Sequence, residues 1–199
     1  MRRRHPFPTV RLLSGLVGMI VIGAALAGCT SGAPDTDKTS TSVSNPTATQ
    51  ELVENEMLQN GIQQAGKGDY DDATSTFKAI LAIDPKAKYA LYNLGLIAQI
   101  HDQSAEAISY YQKAVQIDPK FTSAMYNEAI VLEPTDRKQA ESLYEQIVKI
   151  DPKASTAYLR LSFLYRDDGD TAKANAARAS ALKLDPSLAN VTPTPAPTK

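Results

Sequence analysis

The sequence predicts an all-α chain in which four antiparallel helix pairs stack side by side. Three observations carry that expectation. Asp-Pro closes the phrases AIDP, QIDP, KIDP and KLDP at Pro85, Pro119, Pro152 and Pro186, at intervals of 34, 33 and 34 residues. A fixed period of this length marks a stacked repeat. Within one period, Leu91, Leu94, Gly95 and Ala98 share one helical face and Ala107, Tyr111 and Ala114 share another, the spacing of two amphipathic helices. Each proline ends its unit, because it lacks an N–H and its ring clashes with the preceding turn.

The chain opens on residues that do not belong to this fold. Arg2, Arg3 and Arg4 lead into an apolar run from Leu12 to Ala27. As a helix that run would measure roughly 24 Å against a hydrocarbon core of about 30 Å. Ser14, Gly15, Gly18 and Gly23 interrupt it, so it reads as a targeting segment, residues 1–28, rather than a permanent span. Leu26-Ala27-Gly28-Cys29 resembles a bacterial lipobox. The resemblance implies cleavage before Cys29 and lipidation of its thiol, a stable anchor when two or more acyl chains are carried. The alternatives are an incidental cysteine in an uncleaved anchor, or a twin-arginine signal, which Pro6 and Pro8 fit poorly. Cys29 is the single cysteine, so a disulfide within the chain is impossible.

Residues 29–50 are rich in Ser, Thr, Asp and Pro and read as a disordered tether. As a flexible coil it would span about 25 Å. Residues 51–186 hold the four repeats, 51–85, 86–119, 120–152 and 153–186. The helix pairs are expected at 51–67 with 70–83, 87–101 with 104–117, 121–132 with 135–150, and 155–167 with 171–184. Asp69, Asp170 and either Thr135 or Asp136 are placed to cap second helices, and Pro134 suits the start of one. The last helix, ANAARASALKL, replaces large apolar residues with alanine. A terminal repeat needs a wettable outer face, so this helix reads as a built-in cap. Residues 187–199, ending TPTPAPTK, read as a disordered tail too short and too proline-rich to add another helix.

The repeats resemble the tetratricopeptide repeat family. A small residue stands midway along each first helix: Gly61, Gly95, Ala129 and Ser162. An alanine stands early in each second helix: Ala73, Ala107, Ala140 and Ala174. An aromatic follows four residues later as Phe77, Tyr111 and Tyr144, with Arg178 in the fourth repeat. Small residues let helices approach, and the aromatic fills the space beside them. The resemblance implies a right-handed solenoid whose first helices line a concave face where protein partners bind.

Composition excludes several functions. The 199 residues carry a formal charge of −1. Arg2, Arg3, Arg4 and Arg11 precede Cys29, and no acidic residue does. The remainder is therefore acidic without a basic stripe, and nucleic acid is not an expected partner. His5 and His101 are the only histidines. Asp69, Asp71 and Asp72, and Asp167, Asp168 and Asp170, lack the ligand spacing and closing glutamate of a calcium loop. Asn190-Val191-Thr192 matches a glycosylation pattern that a bacterial lipobox makes irrelevant. No nucleophile set, phosphate loop or zinc spacing is present. Neither enzymatic activity, a cofactor nor a metal is expected.

In the family's arrangement, the residue after each small position and the residue three before it face the concave side. These are Leu58, Ile62, Tyr92, Leu96, Tyr126, Ile130, Leu159 and Phe163, with Tyr89 extending the row. None of the eight is Lys, Arg or Asn, so a clamp for a C-terminal carboxylate is not expected. An apolar, tyrosine-edged groove suits a hydrophobic or amphipathic segment. The expected function is a lipid-anchored, extracytoplasmic scaffold or assembly factor of the bacterial cell envelope, on the cell membrane or the outer membrane, with a protein or peptide partner. The alternative is a self-associating envelope protein with no separate ligand.

Overall fold

The structure, a computed structural model, describes residues 46–192. The targeting segment 1–28, the lipidation site Cys29, most of the 29–50 tether and the last seven residues of the tail lie outside the described residues. Eight α-helices follow one another: α1 Pro46–Lys67, α2 Tyr70–Ile83, α3 Lys88–Ile100, α4 Ser104–Ile117, α5 Thr122–Leu132, α6 Arg137–Ile150, α7 Ser155–Asp167 and α8 Thr171–Leu184, with a 3-10 turn at Pro186–Asn190. They form four pairs, and each pair packs on the next. No strand occurs among the described residues.

The Asp-Pro motif explains why every second helix stops where it does. The residue before proline is driven out of the helical region. Asp84, Asp118, Asp151 and Asp185 are all extended, with ψ between 95° and 99°. Each aspartate N–H still donates to the carbonyl four residues back, at 2.8–3.0 Å. Each carboxylate accepts the N–H two residues on, at 2.8–3.0 Å. One residue thus completes a helix and opens the turn that starts the next pair.

The turns inside the pairs differ. Gly68 (φ +90°) and Gly169 (φ +82°) take the left-handed conformation that ends α1 and α7, and Asp102 (φ +57°) does so after α3. The third turn has no such residue, and Pro134 lies within it rather than at the start of α6. Asp136 accepts from the Gln139 N–H and Asp170 from the Lys173 N–H, both at 3.0 Å. Asp69 makes no side-chain cap.

Small residue meets aromatic at the centre of the pairs. A Cβ on Gly95 would stand 2.5 Å from the Tyr111 ring, and one on Gly61 would stand 2.6 Å from Phe77. Phe77, Tyr111 and Tyr144 are fully buried. Between repeats, Ala90, Leu94 and Ile97 of α3 pack on Ala73, Phe77 and Ile80 of α2.

Two boundaries require correction. Residues 46–50, expected in the tether, belong to α1. Pro46 is tolerated in the first turn, and no later proline or glycine stops the helix before Gly61. Residues 187–190, expected in the tail, form the 3-10 turn. There Asp185 accepts from both the N–H and the hydroxyl of Ser187, and Leu188 joins a cluster with Leu159, Phe163 and Ala181.

Candidate functional site

The periodicity that buries one face of each first helix leaves the neighbouring positions at the edge of that face, only partly covered. Successive first helices touch one another along this side, α1 with α3 and α3 with α5. Their side chains form a row across the stack. Leu58, Ile62, Tyr92, Leu96, Tyr126 and Ile130 are each half-buried, and Tyr89 is 46% exposed. Leu96 and Ile130 therefore pack on neighbours without being enclosed by them.

The fourth repeat departs from this row. Leu159 and Phe163, expected in the groove, are 4% and 7% exposed. Leu188 of the 3-10 turn and Ala181 of α8 enclose them with Tyr158. These two positions belong to the core, because the segment beyond Pro186 folds back over them.

The tyrosines are held firmly. The Tyr92 ring lies 6.0 Å from Tyr111 and 5.2 Å from Phe121, centroid to centroid. Its hydroxyl accepts from Asn127 Nδ2 of the next repeat at 2.9 Å, and burial raises its pKa. Tyr126 meets Tyr144 edge-on at 5.5 Å, and burial raises its pKa too. Both phenols stay neutral at physiological pH. Tyr89 meets Phe121 edge-on at 5.5 Å, and the Lys88 ammonium lies 5.1 Å from one ring and 5.4 Å from the other. Lys88 also pairs with Asp118. That contact raises the lysine pKa and lowers the aspartate pKa.

Two ion pairs lie near the row, Lys88 with Asp118 and Arg160 with Glu133. Arg160 of α7 holds Glu133 at the end of α5 through two bonds, 2.8 and 2.7 Å. The Tyr144 hydroxyl donates to the same carboxylate at 2.7 Å. Beside Leu58 and Tyr89 a cleft of about 480 Å³ opens, with Glu54, Asn55, Lys86 and Lys88 on its walls. The sequence reading missed these polar partners. Phe121, two residues after Pro119, leans back on Tyr89 and Tyr92 of the preceding repeat.

Glu128 is a further residue the reading passed over. It stands where Leu94 stands one repeat earlier, is 3% exposed, and accepts from Gln112 Nε2 at 2.9 Å. Burial raises its pKa.

The acidic run Asp167, Asp168 and Asp170 has structural roles. Arg137 bridges Asp167 and Asp168, each at 3.2 Å, and Asp170 caps α8. His101 ends α3 and meets Tyr70 edge-on at 5.4 Å. No group of three or more potential metal ligands occurs among the described residues. None of the described helices is long and apolar enough to cross a membrane.

Residues 89–121 match the tetratricopeptide repeat family model, which places such a repeat in this chain at the unit with the glycine–tyrosine contact. No curated protein matches the sequence. Solved structures do resemble the fold. A crystal structure of MamA is 23% identical, with a TM-score of 0.62 over 69% of this chain and 81% of that one. MamA from residue 41 to its end, from Desulfovibrio magneticus RS-1, is 21% identical, with a TM-score of 0.59 over 69% of this chain and 78% of that one. A tetratricopeptide repeat protein from Parabacteroides merdae ATCC 43184 is 21% identical, with a TM-score of 0.61 over 67% of this chain and 54% of that one. At these identities the likeness is one of fold.

Proposed function

We propose that this chain is a lipid-anchored interaction scaffold of the bacterial cell envelope, which takes an apolar or amphipathic segment of another protein along the first helices of repeats one to three. The observation that carries this reading is the accessible row Leu58, Ile62, Tyr89, Tyr92, Leu96, Tyr126 and Ile130. Its rings pack against neighbouring aromatics, so little order has to be created on binding. Fully burying one such side chain is worth about 1.5–3 kcal/mol, and a half-buried one roughly half that. Several together reach the range of micromolar affinity, about −8 kcal/mol, once association costs are met. The row offers no nucleophile or acid–base pair, and the reading is of a binding protein rather than an enzyme.

The anchor in this proposal is Cys29, with residues 30–45 spacing the repeats from the membrane. The motif Leu26-Ala27-Gly28-Cys29 supports it.

The test replaces Leu96 and Ile130 together by serine in the full chain and follows photo-crosslinking from a probe at Lys86, on the wall of the adjoining cleft. The expected result is loss of the crosslinked partner with a melting temperature lowered by only a few degrees. Undiminished crosslinking would exclude this face. A large fall in melting temperature would show that the two side chains serve the stack instead. Self-association as the sole function predicts that the crosslinked species is a second copy of this chain.

A further inference from the structure

The two ends of the stack are unlike. Inside it, Ala90, Leu94 and Ile97 are the α3 residues that pack on the preceding repeat. The corresponding α1 residues are Glu56, Asn60 and Gln63, all polar and exposed. That end needs no cover. The other end is apolar: Leu159, Phe163 and Ala181 cluster there, and Ala174 of α8 borders the cavity beside Phe163.

What covers it keeps the register of the repeat. Leu188 stands two residues after Pro186, as Ala87, Phe121 and Ala154 stand after Pro85, Pro119 and Pro152. Those three each cap the next first helix. Phe121 packs with Tyr92 and Ala114. Leu188 packs with Leu159 and Ala181, which hold the same two places two repeats further along. The Asp185 carboxylate opens the segment with the same turn as its three predecessors. Arg178, in the aromatic's place, reaches past the gap to donate Nη2 to the Ala189 carbonyl at 2.7 Å. Beside the segment a cavity of about 340 Å³ remains between Phe163, Ala174, Arg178 and Val191, where the rest of a first helix would lie.

We propose that Pro186–Thr192 occupies the place of the opening turn of a further repeat, and that it prevents the C-terminal end of the stack from pairing with the same end of a second copy. An uncovered apolar end of a repeat array is a docking surface. The N-terminal end presents Glu56, Asn60 and Gln63, with exposed Leu52 and Val53 only at the outer part of α1, so the fuller apolar match for the uncovered end is the same end of a second copy, about a two-fold axis. This inference does not depend on the partner-binding row.

The test uses the full chain in detergent, with sedimentation velocity for mass and amide exchange for the segment. The wild type is expected to sediment as one copy. In Leu188→Ser, the Leu188 and Val191 amides should exchange at least tenfold faster, and mass should rise to two copies with concentration. Leu188→Phe, which imitates Phe121, should slow that exchange and stay at one copy. Leu52→Ser, which removes an exposed apolar residue of α1, should leave both readouts at wild-type values. Unchanged exchange in Leu188→Ser, or faster exchange with one-copy mass at every concentration, would overturn the proposal. So would a wild type already paired through α8. Should the serine variant lose helicity, failure of Leu188→Phe to slow exchange would overturn it equally.

Discussion

Gly95 and Tyr111 form a contact that leaves no room for a side chain. A Cβ on Gly95 would stand 2.5 Å from Cε1 of a ring that is fully buried, with its hydroxyl donating to Gln99 at 2.8 Å. The ring cannot swing aside without breaking that bond. Gly95→Ala is therefore expected to cost about 1–3 kcal/mol through overpacking, and Tyr111→Ala about 3–5 kcal/mol through the cavity. Urea unfolding of each variant checks both values. Glu128 makes the opposite kind of residue-scale prediction. Burial raises its pKa above the unfolded value of about 4.3. Below that value both states are protonated and the buried acid contributes its full stability. As pH rises, the unfolded chain releases the proton first, so this contribution is lost up to the raised folded pKa. Glu128→Gln keeps the bond from Gln112 without the charge. It should melt higher than the wild type at pH 7, and the gap should close towards pH 4.

At the scale of elements, the Asp-Pro turn is the recurring device. Asp151 terminates α6, and its carboxylate accepts from the Lys153 N–H at 2.9 Å. Losing that bond in Asp151→Ala should cost about 0.5–1.5 kcal/mol. Asp118 makes the same turn and also pairs with Lys88 across a whole repeat. Asp118→Ala should therefore lower the melting temperature further than Asp151→Ala. The excess should shrink in 1 M salt, where a pair still reached by solvent is screened in part. Equal shifts for the two variants at low salt would mean that the Lys88 contact contributes nothing.

At the scale of the molecule, the chain divides its work along its length. Four stacked pairs hold a row of half-exposed apolar side chains, and the residues before them carry the proposed lipid site. Acylation at Cys29 predicts that Cys29→Ser accumulates a precursor without acyl mass. Mass spectrometry finding wild-type mature protein that begins elsewhere would remove the anchor from the proposal. The partner would then meet the same row without a membrane beside it.

The sequence by itself determined the repeat, its period and nearly every helix boundary. Each of those depends on local chemistry: the extended residue before proline, the left-handed glycine, and the spacing of apolar residues on one helix. The glycine–tyrosine contact was legible too, because it lies within one period and repeats. Tertiary structure decided how far each side chain is covered. Tyr92 lies against Phe121 and bonds to Asn127, both in the next repeat. Glu128 holds the core place of Leu94 in the register, and only the structure supplies the Gln112 side chain that accompanies its carboxylate there. Leu159 and Phe163 match Tyr92 and Leu96 in register, yet they are buried because Leu188 folds back across the open end. Burial depends on what arrives from some thirty residues away, and a helical period records only which face is apolar.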